Sequence, residues 1–296
     1  MSNNPVSKEG ISPVINDKKR VYLKFTSSID QAEFNNRCLK NKYWYHSYYF
    51  DNGFVQRGDY DIGQDVGKYC FPPNLSGMSV LDIGTGSGWF ATYFEQLGAD
   101  VTFTDARGYC DFDVFGRDSY PPTSSEKPGP DRILSDGREI YYSPVSQGFW
   151  IMKDILGLKA NYINAHVYEI CPELFSGKKF DLVFMGSALM HLRDPIGALM
   201  AAHSVCKVQL IASSYMLPGN ICLNEPYMRM REGAADGISW WIPNKSCLVQ
   251  WLKASGFTQY EIGNTVDLTS DKPYIDEATG RSSGVNQTQQ LIQAYP

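Results

Sequence analysis

The stretch Val80-Leu81-Asp82-Ile83-Gly84-Thr85-Gly86-Ser87-Gly88 restricts this chain more than any other. Ser79 to Ile83 reads as a buried strand, and the glycines then break it. Glycines at alternate positions accept left-handed backbone and keep Cβ atoms away from a ligand on one side of the turn. Phe90, Tyr93, Phe94 and Leu97 follow at helical spacing, and Gly98 fits a helix C-cap. The unpaired N–H groups of that helix point back at the turn, where an anionic or nucleotide ligand would sit. An ordinary tight turn is the alternative, but strand, glycine turn and helix in this order is the context a nucleotide site requires.

Strand and helix patterns alternate beyond this point. Asp100 to Thr104 is a second strand ending at Asp105, and Asn161 to Ala165 a third. Phe180 to Met185 is a strongly apolar fourth, followed by a helix over Ala198 to Val205 and a fifth strand over Val208 to Ser213. Further helices are expected over Ser146 to Leu156 and Ser246 to Ala254, with strands over Gln259 to Val266 and Thr288 to Ala294. This alternation predicts an α/β fold with a mostly parallel, doubly wound sheet of seven strands. Ligands of such sheets bind at the carboxyl ends of the strands, beside the first strand. Gly84 to Gly88, Asp105, His166 and Gly186 to His191 all fall at that edge. Asp105, about 20 residues beyond the turn, is placed to accept both hydroxyls of a ribose; a plain helix cap is the alternative.

Ahead of the sheet, residues 1–20 read as a polar, flexible arm and residues 21–74 as an aromatic-rich cap. The cap combines a short helix from Ile29 to Leu39 with the run Tyr43 to Phe50. Asp51-Asn52-Gly53 supplies a hairpin turn signal, and Phe54 to Gly58 the returning strand. A further short helix is expected from Asp61 to Tyr69. So many adjacent aromatics on a hairpin cannot all face one core, so part of the run is expected to line a pocket. Residues 75–296 form the main domain, with a lid insertion near 216–244.

The turn departs from a dinucleotide site, because the bulky Trp89 follows the last glycine. It suits a nucleoside with a small charged tail. Val80 to Gly88, Asp105, Phe180 to Gly186 and Gly256-Phe257 resemble the motifs of class I S-adenosylmethionine-dependent methyltransferases, over roughly residues 75–295. The resemblance implies a Rossmann-like fold and S-adenosyl-L-methionine as cofactor. It implies a cofactor set of Asp82, Gly84, Thr85, Gly86, Gly88, Asp105, Ala106, His166, Val167 and Gly186. The turn would hold the methionine moiety, Asp105 the ribose, and His166-Val167 the adenine. Family members often carry Asp where this chain has His166.

A narrower resemblance rests on Trp44-Tyr45-His46 ahead of the Asp-Asn-Gly turn, Met190 to Pro195, and Trp240-Trp241-Ile242-Pro243-Asn244. These are similar to the branch of the tRNA wobble-uridine carboxymethyltransferases, which also holds methyltransferases of specialised metabolism. Among those are sodorifen-type farnesyl diphosphate C-methyltransferases. His191 is expected as general base, because its ordinary pKa suits neutral pH; a loop histidine bonded to backbone is the alternative. Trp44, Tyr45, His46 and Tyr49 are the candidate pocket wall, and Gln56, Arg57, Asn220 and Trp240 the candidate acceptor-binding residues.

Composition selects among partners. A net charge of −5 disfavours a broad nucleic-acid footprint, so a small-molecule acceptor is expected and a tRNA is the alternative. A binding or regulatory domain without catalysis is a third reading. Seven scattered cysteines without paired spacing fit reduced thiols in the cytoplasm. The histidines show no ligand spacing and there is no Asp-rich motif, so no metal is expected. The polar N-terminus has no apolar h-region and no apolar run nears membrane length, so neither a signal peptide nor a membrane span is expected. The sequence does not disclose an oligomeric state.

Overall fold

The structure, a computed structural model, describes residues 20–41, 43–105, 146–217, 224–230, 239–271 and 287–296, with short backbone segments at 14–15, 132–133, 139–140, 274–275 and 282–283. Its centre is a seven-stranded sheet. In chain order the strands are β1 (Ser79–Ile83), β2 (Asp100–Asp105), β3 (Asn161–Asn164), β4 (Phe180–Met185), β5 (Cys206–Ser214), β6 (Gln259–Leu268) and β7 (Gln287–Tyr295). Their spatial order is β3-β2-β1-β4-β5-β7-β6. Neighbours from β3 to β5 pair in parallel, and β7 runs antiparallel to both β5 and β6. The chain order reverses between β1 and β4, and the ligand crevice of a doubly wound sheet opens at that point.

Two apolar layers cover the sheet. Helices α2 (Trp89–Gln96) and α3 (Gln147–Leu156) lie on one face. Helices α4 (Pro195–Val205) and α5 (Lys245–Ala254) lie on the other, with Leu199, Ala202, Leu248 and Trp251 buried against Leu81, Val183 and Leu210. Each start is chemically capped: Asp194 accepts from Gly197 N–H and Asn244 from Cys247 N–H.

The cap adds to the first layer. Leu23, Phe34, Phe50, Tyr60 and Tyr69 share one continuous core with Phe90, Phe94 and Phe149. Helix α1 (Gln31–Cys38) and the hairpin strands Tyr48–Tyr49 and Val55–Gln56 form where the sequence places them, with Gly53 left-handed at φ 89° in the turn. The segment expected as one helix from Asp61 to Tyr69 is instead two 3-10 turns, Ile62–Gln64 and Val66–Tyr69. Asp65 between them bonds outward to Lys68 and Thr269 rather than continuing a helix. The part of the 216–244 lid that is described contains a short hairpin, Met228–Met230 with Trp241–Pro243. Among the described residues no helix is long and apolar enough to cross a membrane.

Candidate active site

The turn after β1 divides its glycines by task. Gly84 has φ 76°, and a Cβ there would meet only Ala188 Cβ, at 3.8 Å. That position is open for close approach to the backbone. Gly86 is also left-handed, at φ 57°. Gly88 is occupied differently: a Cβ would overlap the ring of Phe149 from α3. Its bareness serves packing as well as its φ of 81°. Gly186, at the end of β4, is likewise bare because the Phe184 ring lies over it, 2.7 Å from an added Cβ.

Two carboxylates stand behind the turn. Asp82 is buried and accepts from Thr85 Oγ1 at 2.7 Å. Burial pushes its carboxyl up to about 7, against the lowering effect of the Thr85 bond and with a further push from Asp105. Asp105, at the end of β2, accepts from Gly86 N–H at 3.2 Å. It therefore both shapes the turn and stands at the crevice. Asn164 pairs beside it at the end of β3, and its Oδ1 is buried without a hydrogen-bond partner among the described residues. A carboxylate, a left-handed open glycine and an unfilled acceptor on adjacent strand ends fit a nucleoside with an amino-acid tail.

His166 caps the 3-10 turn Val167–Glu169: its Nδ1 accepts from Tyr168 N–H at 3.4 Å, and Glu169 Oε2 accepts from His166 N–H. A neutral imidazole that accepts at Nδ1 carries its proton on Nε2. His166 Nδ1 is thus engaged in capping the turn, where family members often carry an Asp. Ala106 and Asn220 lie outside the described residues.

The cap reaches the same turn. Tyr45 N–H donates to Ser87 Oγ at 2.9 Å, and the Tyr48 hydroxyl donates to Ser87 carbonyl at 2.6 Å. The hairpin is therefore fixed to the residue between two of the turn glycines. Tyr45 packs edge-on against Tyr60 and His46, and His46 against Phe90. His46 is buried, Nδ1 is without a partner among the described residues, and desolvation pulls its pKa down to about 3. It is a neutral imidazole at physiological pH.

The remaining wall candidates, Trp44 and Tyr49, lie apart from each other. Trp44 is core: it packs on Gly148 of α3 and donates to Cys38 carbonyl. Tyr49 points to the outer side, where its hydroxyl donates to Asp271 and Arg20 covers its ring at 4.0 Å. Burial pushes the Tyr49 phenol up to about 12. Arg57 pairs with the same Asp271 at 3.2 Å, and Gln56 donates to Arg57 carbonyl. Gln56, Arg57 and Tyr49 thus form a surface network on the cap's outer seam.

His191 ends the 3-10 turn Leu189–His191 directly after β4. Its N–H donates to Ala188 carbonyl at 2.9 Å. The lid closes on this turn: Trp240 N–H donates to Met190 carbonyl at 2.7 Å, and Trp241 Nε1 to Arg193 carbonyl at 2.9 Å. Arg193 lies 5.9 Å from the Trp240 ring. Trp240 and His191 are therefore brought together, with Tyr45 and His46 on the cap side of the crevice. Sequence reasoning missed Ser87 as the anchor of the cap and Asn164 as the unfilled acceptor. Ser87 was visible inside the motif, whereas an Asn at a strand end carries no signal of its own.

The strand order, its single reversed strand, and an open glycine turn facing an acid at the end of β2 define a class I S-adenosylmethionine-dependent methyltransferase. The methyltransferase domain family model matches residues 55–262, and the chain belongs to that family. The tRNA U34 carboxymethyltransferase of Idiomarina loihiensis is 26% identical over 234 residues, covering 75% of this chain and 60% of that protein. The protein of the same name from Aliarcobacter butzleri is 29% identical over 133 residues, covering 41% of this chain and 42% of that one. The chain thus matches about two fifths to three fifths of the length of these curated relatives. The N-terminal domain of EvdMO1, crystallised with SAH, shares the fold with a TM-score of 0.55 at 13% identity, over 90% of this chain and 97% of that one.

Proposed function

We propose that this methyltransferase acts on a small specialised metabolite held between the aromatic cap and the β4 edge, and that the reaction is C-methylation of an isoprenoid diphosphate such as farnesyl diphosphate. The observation that carries this is the fixing of the Tyr45–Tyr48 segment to Ser87. It puts the aromatic segment directly against the cofactor turn, where its rings would wall an acceptor of small-molecule size.

When bound, S-adenosylmethionine supplies a methyl group on a sulfonium, transferred by in-line displacement. Gly84 and Gly86 would admit its amino-acid tail, Asp105 its ribose, and Val167 with Asn164 its base. Alignment and exclusion of water are the main tasks of the protein, and the cap and the Trp240 lid serve both. Methylation of an alkene leaves a cation on the neighbouring carbon. The faces of Tyr45 and Tyr60 would stabilise it. His191 then takes the adjacent proton, whose C–H electron pair closes the new double bond. Asn220 is the candidate for the diphosphate end, since Arg57 is paired with Asp271 on the outer seam.

A second reading follows from the relatives' name: modification of a tRNA wobble uridine with a carboxylated cofactor. Arg20, Arg57 and Lys68 on the cap seam are each paired with a carboxylate, which leaves them little to offer an RNA backbone. The experiment is incubation of the enzyme with methyl-labelled S-adenosylmethionine and either farnesyl diphosphate or a tRNA transcript. Label in the lipid is the expected result; label in tRNA alone would overturn the reading.

A further inference from the structure

The carboxyl ends of β4, β5 and β7 hold a chain of polar side chains with no role so far. Ser187 follows β4 with φ 58°, left-handed for a residue that has a Cβ. Two hydrogen bonds hold it there. Its N–H donates to Ser213 Oγ of β5 at 3.0 Å, and its hydroxyl donates to Gln289 Oε1 of β7 at 2.8 Å. Gln289 is 1% exposed, and its Nε2 has no hydrogen-bond partner among the described residues. Tyr69, also 1% exposed, stands beside Ser213, and its hydroxyl has no hydrogen-bond partner of good geometry among them. Burial pushes the Tyr69 phenol up, so it stays protonated and able to donate.

A buried donor left unfilled is destabilising, and native proteins rarely keep one without a use. Here Gln289 Nε2 stands at the end of the Ser213–Ser187–Gln289 chain and the Tyr69 hydroxyl beside its Ser213 end, next to a strained residue that opens the His191 turn. Strain retained at such a point accompanies ligand clamps. We propose that Gln289 Nε2 and the Tyr69 hydroxyl donate to an oxygen of the methyl acceptor, and that Gln289 sets acceptor specificity. The donors are neutral, so they recognise an oxygen by hydrogen bonding rather than by charge. A phosphoester oxygen of a prenyl diphosphate and a ring carbonyl of a uracil share that chemistry. The inference rests on the acceptor lying at the β4 edge, as argued above, but not on which of the two it is.

Gln289 permits a clean separation of roles. Gln289→Glu keeps an acceptor for the Ser187 hydroxyl and loses the donor; Gln289→Leu loses both. With farnesyl diphosphate, both variants should raise the acceptor KM by roughly 10- to 100-fold at unchanged cofactor affinity. In ¹⁵N-labelled protein saturated with S-adenosylhomocysteine, the Gln289 side-chain amide resonance, assigned by its loss in the leucine variant, should shift on adding farnesyl diphosphate. A shift with an anticodon stem-loop RNA and none with the lipid would uphold the donor role while overturning the isoprenoid reading. A resonance that moves with neither would overturn the donor role, even if the lipid is methylated. Wild-type kinetics in Gln289→Glu alongside a defective Gln289→Leu would show that Gln289 only holds Ser187, and would overturn it too.

Discussion

The two halves of the crevice are built in opposite ways. The cofactor half is made largely by backbone: a turn whose glycines set the path, with Asp82, Thr85 and Asp105 supporting it from within one β-α-β unit. The half we assign to the acceptor draws on residues far apart in the chain: Tyr45, Tyr69, His191, Ser213, Trp240 and Gln289. A backbone-built site leaves few ways to vary it. A side-chain-built site can change its ligand through single substitutions while the fold stays intact, which is how one fold serves many acceptors.

That contrast can be broken at several points. The largest effect is expected at the candidate base: His191→Ala should lower kcat by roughly 100- to 10,000-fold, with cofactor affinity by calorimetry unchanged. A comparable loss of S-adenosylmethionine binding would instead place His191 in the cofactor half. Asp105→Ala should weaken cofactor binding by about 100-fold, since it removes charge-assisted bonds and loosens the turn. Calorimetric titration that finds native affinity would remove Asp105 from the site.

The glycines should split next. Gly88→Ala drives a Cβ into Phe149 and should destabilise the fold by roughly 2–4 kcal/mol in denaturant unfolding. Gly84→Ala meets only Ala188 Cβ at ordinary contact distance, so about 1 kcal/mol of backbone strain is expected with the main loss in cofactor affinity. Equal unfolding free energies for the two variants would contradict this division.

The smallest effects are in pH dependence. Asp82 is held at about 7, against about 3.9 in an unfolded chain. Between those values the folded state binds the extra proton, so the contribution of Asp82 to stability is full below about pH 4 and lost as pH rises through 7. His46 is held at about 3, against about 6.5 unfolded, so its contribution is full above about pH 6.5 and lost as pH falls toward 3. The two oppose each other between about pH 4 and 6.5. Melting temperatures of the apo protein should climb more steeply with pH across that window in Asp82→Asn, and less steeply in His46→Phe. Parallel curves for the variants and the parent would refute both assignments.

The same contrast explains what could be read in advance. The alternation of strands and helices, the turn and the acid at the end of β2 are local patterns, and their periodicity exposes them. The cap's Asp51-Asn52-Gly53 hairpin was legible for the same reason. Strand alternation divides its side chains: Tyr48 and Tyr49 are adjacent, yet one hydroxyl reaches the cofactor turn and the other faces Arg20 and Asp271. Trp44 read as a pocket wall, whereas the bare Gly148 in α3 is what lets its ring into the core. Gln289 and Ser187 could not be paired from sequence, because the β5–β7 register that brings them together is long-range.

Ser87 carries a last consequence. It is part of the glycine turn, and it holds the cap segment Tyr45–Tyr48, which we assign to the acceptor, through both its side chain and its carbonyl. Any adjustment of the turn on loading the cofactor is felt one residue away by Tyr45. Occupancy of the two halves is then thermodynamically linked: cofactor should change acceptor affinity, and acceptor should change cofactor affinity, by the same factor. Equilibrium titrations run from both directions would measure that factor twice, and Ser87→Ala should bring both values towards one.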